Sequence, residues 1–463
     1  MKSINHAVVC ILCAFSLTGK IMAANNCQLS VRDKAHSTIT GNAVSKTRMI
    51  VMTDIGGSDP DDTQSMVHLL VSLDQVDLEG IISQHAWVPY GTGAVDTIQK
   101  LIKGYETVLP HLQKHSAGFP AADYLRSIVK VGQPVAAMAG VGDGRDSEGS
   151  EWIIKTVDKE DIRPVWIAAW SGLSTLAQAL WKVQQTRSKE QVDAFVSRIR
   201  VYDVLGQDDA GAWITKQFPH LTYIRNKEIY GWPPSDEWTR EYVQNVGPLG
   251  SFYPNRIWAT EGDSPSFMYC LDNGLNCPEH PEYGGWGGRF DTVRVANIRG
   301  MDWVKKNGLD ESQYDPYLMI PSAGEGSGAI KKWQTAIYND FAARMLWTVT
   351  DDYSQANHHP RIVIDGDSTC NVINRQAASG SILTLNAHQS FDPDGNKVSF
   401  NWIFYEEPSS FKGTLPLDTR EEGICKVTIP DTATGKTIHI ILELTDCGSP
   451  ALTTYRRFVI SAH

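Results

Sequence analysis

From about residue 48 to 224, short apolar runs alternate with amphipathic stretches, and this limits the possible folds more than any other feature of the chain. Arg48-Met49-Ile50-Val51-Met52-Thr53 has the length and apolar character of a buried parallel strand and is followed by a glycine break. Residues 60–72 then place Met66, Val67, Leu69 and Leu70 on the inner face of a helix. Runs at 76–83, 164–169, 198–205 and 221–224 repeat the strand pattern, and 94–104, 174–184 and 210–217 repeat the helical one. This alternation predicts an α/β fold, a mostly parallel sheet flanked by helices. Reactive groups in such a sheet collect in the loops at the carboxyl ends of the strands.

The rhythm changes near residue 355. A last helix is expected around 342–347, then a linker at His358-His359-Pro360. Strand-like runs follow at 361–364, 381–385, 398–404, 425–429 and 438–444, separated by turn signals such as Asp392-Pro393-Asp394-Gly395-Asn396. They predict a small C-terminal all-β sandwich of immunoglobulin-like type. At the other end, Lys2 and the apolar run 7–15 precede small residues at 21–24, the pattern of a signal peptide too short to span a bilayer. The expected division is therefore 1–24 signal peptide, 25–357 α/β domain and 358–463 sandwich. The mature protein is expected in a periplasm or outside the cell, free of the membrane.

A formal net charge of −11 disfavours a nucleic acid polymer as partner, because phosphate binding requires a basic face. A neutral small molecule or a sugar polymer fits this balance better, and a homo-oligomer is compatible with it. Of the 8 cysteines, Cys10 and Cys13 lie in the leader. The others have no Cys-x-x-Cys spacing, so a zinc or redox centre is not indicated. Cys270 and Cys277 are spaced to close a small disulfide loop, and Cys370, Cys425 and Cys447 share the sandwich.

The most informative segment is Met52-Thr53-Asp54-Ile55-Gly56-Gly57-Ser58-Asp59-Pro60-Asp61-Asp62, with four carboxylates at the end of the first strand. Their mutual repulsion is unfavourable unless a cation sits among them, and a hard divalent ion prefers oxygen ligands of this kind. A plainer account makes Asp59 the helix N-cap, with Asp61 and Asp62 meeting the helix dipole. It leaves Asp54 unexplained.

The segment resembles the Asp-x-Asp-Pro-Gly-x-Asp-Asp signature of nucleoside hydrolases. More closely, it resembles the nucleoside-hydrolase-like domain of a bacterial exported family labelled cellulose-binding, over nearly the whole mature chain. The resemblance implies that Asp54 ligates calcium and activates the attacking water, that Asp61 binds a sugar hydroxyl, and that Asp62 is a calcium ligand. Two departures stand out: Met52 replaces the first Asp, and the loop before Asp61 is longer. Whether Asp54 or Asp59 reaches the metal stays open.

The same resemblance makes the Trp170 carbonyl and Asp263 further calcium ligands. It puts His85 and Trp87 in the position that contacts the sugar, His85 also as a proton donor to the leaving group. Other strand-end candidates for substrate contact are Gln207 and Asp208, although Asp208 or Asp209 could instead cap the next helix. Glu261 stands two residues before Asp263, near where the family carries a leaving-group acid. The Gly-rich stretch 278–289 suits a substrate-facing lid with His280, Trp286 and Arg289, or a rigid surface loop. Together these imply a calcium-dependent glycoside hydrolase acting on a furanose-like sugar or plant glycan, with a non-catalytic carbohydrate-binding protein as the alternative.

Overall fold

A computed structural model describes residues 46–57, 59–84 and 92–463. The expected leader, His85 and Trp87 lie outside the described residues. Strands β1 (Thr47–Thr53), β2 (Val76–Ser83), β3 (Val129–Val131), β4 (Val165–Ala169), β5 (Ile199–Val204) and β6 (Thr222–Asn226) form a parallel sheet in the order β3-β2-β1-β4-β5-β6, completed at its edge by Ile320–Pro321. Apart from the edge strand β3, whose residues are half-buried, the strands β1 to β6 are buried on both faces over most of their length. Met49 and Val51 of β1 pack into one helical layer, while Ile50 and Met52 pack into the other. That is the two-residue period of a strand between two apolar layers.

Chain order reverses between β1 and β4, which lie side by side, so a crevice opens at their carboxyl ends. The Trp170 amide donates to the Met52 carbonyl across this point at 2.8 Å. Buried ion pairs tie the sheet to its surroundings. Arg48 on β1 meets Glu79 on β2, and Arg344 on helix Gln334–Trp347 meets Asp340 and Asp74. No helix among the described residues is long and apolar enough to cross a membrane.

The C-terminal strands form a four-stranded sheet (Ile373–Ala377, Thr453–Ala462, Thr437–Asp446, Val398–Phe404) and a three-stranded one (Ile382–Asn386, Ile424–Thr428, Leu417–Asp418). Val427, Ile440, Leu442 and Phe458 fill the space between them. The run at 361–364 is not a strand. Ile362 and Ile364 are buried as a strand would bury them, yet only isolated pairings join Arg361 to Phe391 and Ile364 to Asp367. Cys270 and Cys277 are free thiols, so the small disulfide loop is absent, and Cys370 and Cys425 are free as well. Cys447 is disulfide-bonded.

Strand Thr453–Ala462 also seals the sandwich to the α/β region. Its Arg457 donates to the carbonyls of Leu275 and Gly284, each at 2.8 Å. Tyr455 meets Trp286 and Trp333 edge-on, and its amide donates to the Asn273 carbonyl. Gly274 has φ of +81°, and a Cβ there would collide with the Tyr455 carbonyl, so this close crossing requires glycine.

Candidate functional site

The loop after β1 runs through Asp54 and Asp59 into helix Asp61–Val71. Pro60 holds the cap position, the Asp59 carboxylate accepts from the Asp61 amide and Asp61 Oδ1 from the Asp62 amide at 3.1 Å, so the helix start engages Asp59 and Asp61 and leaves Asp54 and Asp62 unexplained. Asp62 accepts a hydrogen bond from the Thr53 hydroxyl. Asp263 leads into the short helix Ser264–Met268 and makes no capping bond. One carboxylate oxygen from each of Asp61, Asp62 and Asp263 lies within 4.8 Å of the others.

Burial is the first cause, and repulsion among the acids the next, that pushes Asp62 and Asp263 well above the carboxylate range and Asp61 up to about 7. Asp263 Oδ2 is buried with no hydrogen-bond partner. An orphaned carboxylate oxygen beside two more carboxylates is the donor set of a hard cation, so these three residues could hold a metal ion. Asp54, only 8% exposed, stands outside this trio, lines the same cavity, and adds its charge to that felt by all three. The cavity measures about 320 Å³.

Glu261 is what brings Asp263 to the trio. Its backbone is left-handed (φ 46°), and its amide donates to Gln64 Oε1 on the acidic helix. Its carboxylate is turned inward, 2.7 Å from His68 Nδ1 and accepting from the hydroxyls of Tyr253 and Ser264. His68 is in turn stacked on Phe341. Glu261 is thus a buried clamp and not a leaving-group acid. Gly262 follows it, and a Cβ there would sit 2.6 Å from Asp61 Oδ2 and 3.2 Å from Ile229. Gly262→Ala should therefore displace Asp61 and weaken divalent-ion binding by roughly tenfold with the fold retained, a measurement for titration calorimetry.

The other candidates divide. The Trp170 carbonyl is at the cavity but accepts from Gln207 Nε2 at 2.7 Å, so both residues line the site. Asp208 does not. It is buried and accepts from the amides of Leu173 and Ala210, the latter the first residue of the helix Ala210–Gln217, whose cap position is held by Asp209. Burial, with Asp209 and Asp203 nearby, pushes it up to about 7. The stretch 278–289 is not a lid. Trp286 is buried against Tyr455, Arg289 pairs with Glu325, and His280 pairs with Glu282 and stacks on Tyr283. The sandwich strand needs a close-packed floor, and these glycines and aromatics supply it.

Two stretches match descriptions of known families. Residues 48–290, just over half of the chain, match "Cellulose-binding Sde182, nucleoside hydrolase-like domain", and residues 382–462 match "Cellulose-binding protein Sde0182, C-terminal domain". The chain belongs to the cellulose-binding Sde182 family. A solved structure described as a nucleoside hydrolase-related hypothetical protein from Saccharophagus degradans, associated with carbohydrate metabolism, is similar at 45% identity. The likeness covers 90% of this chain and 100% of that one, with a TM-score of 0.84. No curated protein matches.

In this member of the Sde182 family the cavity has a mouth that sequence reasoning missed. Tyr230, Trp258 and Arg299 line it together with the acids. Tyr230 follows the carboxyl end of β6, so the strand-end rule carried one strand further would have reached it. Partial burial and the charges of Asp61, Asp263 and Asp59 push its phenol upward. Trp258 and Arg299 carry no local signal.

Proposed function

We propose that the acid cleft is the active site of an exported, calcium-dependent glycoside hydrolase that cleaves an N- or O-glycosidic bond of a furanose-like sugar or a plant-derived glycan. The observation that carries this reading is the convergence of Asp61, Asp62 and the unpartnered Asp263 from distant parts of the chain, with Asp54 beside them. All-oxygen donors favour calcium over softer ions. Bound there, the ion would supply Lewis-acid polarisation of a water and an anchor for vicinal hydroxyls.

Asp54 removes the proton from the attacking water. It stands for this in the buried wall of the cleft, beside the other acids. The remaining carboxylates stabilise the positive charge that develops on the sugar ring as the bond breaks. Asp61, its backbone fixed at the helix start, holds a sugar hydroxyl. Gln207 aligns the Trp170 carbonyl on the opposite wall.

Asp54→Asn should lower turnover of furanosides or short plant oligosaccharides by roughly 10²–10⁴-fold while the thermal melt stays unchanged. Full turnover in that variant would overturn the mechanism.

The family description favours a second reading, a carbohydrate-binding protein without turnover. It predicts tight binding of the same sugars by wild type and by Asp54→Asn, with no product from either.

A further inference from the structure

The mouth of the cleft is apolar where its floor is acidic. Trp258 is 77% exposed and Tyr230 51% exposed, and both line the cavity whose inner end is formed by the buried Asp62 and Asp263. Ile257, next to Trp258 in the chain, is exposed as well. A large indole left in water at the entrance of a polar cleft offers uncovered apolar area, and a ligand that covers it recovers hydrophobic free energy. The ligand must offer a flat apolar face to the rings and a hydroxyl-rich edge to Arg299, Gln207 and the carboxylates. A β-linked pyranose has both, with C–H bonds on its faces and hydroxyls around its rim. The cavity lies at the lower end of the roughly 300–1,000 Å³ typical of ligand pockets, room for a terminal sugar and not for a chain passing through.

Resting on the reading of this cleft as a carbohydrate site, we propose that Trp258 and Tyr230 form a stacking platform for the pyranose rings next to the terminal sugar. The cellulose-binding site and the acid cleft are then one site, which grips the end of a β-glucan chain. The C-terminal sandwich is not needed for that grip.

Binding of glucose, cellobiose, cellotriose and cellohexaose to the full chain, measured by calorimetry in the Asp54→Asn background, tests this apart from any turnover. Affinity should rise with length and level off after roughly three rings. Trp258→Ala and Tyr230→Ala should each weaken cellohexaose by roughly tenfold or more. Phe391→Ala, which removes an exposed aromatic from the sandwich, should leave it unchanged. Three results would overturn the platform: wild-type affinity in both rim variants, loss of binding on Phe391→Ala, or no binding of any cello-oligosaccharide. None of them touches the hydrolytic reading, which stands or falls on turnover by Asp54.

Discussion

Replacing Asp263 with Asn is expected to lower calcium affinity by roughly 100-fold or more, the largest effect on metal binding among the substitutions considered. The change keeps the shape of the side chain and removes its charge. Among the described residues Asp263 Oδ2 has no hydrogen-bond partner, so no bond among them is broken when it becomes an amide. Two effects of opposite sign follow. Without metal, Asp263→Asn should be as stable as wild type or more so, because one of three mutually repelling buried acids is gone. With calcium at about 100 times its dissociation constant, wild type should gain about 2.7 kcal/mol over its chelated state, and the variant should gain almost nothing. Melts with calcium and with chelator measure both. Asp61, raised to about 7, and Asp62 and Asp263, raised well above the carboxylate range, must lose protons for the ion to bind. Affinity should therefore fall as pH drops below neutrality. Equal calcium gains in both proteins would remove Asp263 from the ligand set.

Arg225→Met should be the most damaging change among residues that only support the site, at about 3–5 kcal/mol. The Arg225 guanidinium lies 2.6 Å from Asp203 at the end of β5, and both groups are buried. Removing the cation leaves a carboxylate with no counter-charge in the interior. Asp203 also accepts from the Gly206 amide at 3.1 Å, and the next residue is Gln207, which reaches the Trp170 carbonyl at the cleft. Loss of stability should therefore be accompanied by weaker sugar binding even where the variant is still folded. Denaturant unfolding and calorimetry read the two separately. A variant destabilised by less than about 1 kcal/mol would mean that water or Tyr223 satisfies Asp203 unaided.

The parallel sheet was legible because its strands are buried on both faces, which writes uninterrupted runs such as Met49–Met52 into the chain. The acid loop was legible for a different reason. Four carboxylates in one short segment repel one another, and on sequence alone a helix start answers for three of them but not for Asp54. What could not be read was direction. Glu261 and Asp263 are two residues apart, yet one points at His68 and Tyr253 and the other at Asp61 and Asp62, a choice made by the left-handed backbone of Glu261. The glycine-rich stretch around Trp286 looked like a lid because its packing partner, Tyr455, lies 169 positions away. Trp258 gave no sign at all, since an exposed tryptophan and a core tryptophan have the same neighbours in sequence.

The seam at Gly274 and Arg457 bears on how this molecule would meet a carbohydrate polymer. Binding modules on tethers search a surface independently of the body they serve, and raise its local concentration by swinging. Here the guanidinium is sunk among backbone carbonyls and two backbones cross where only glycine fits, so the sandwich has no freedom to swing. Whatever the far side of the sandwich touches, the aspartates are presented to it in one fixed pose, and reach is traded for aim.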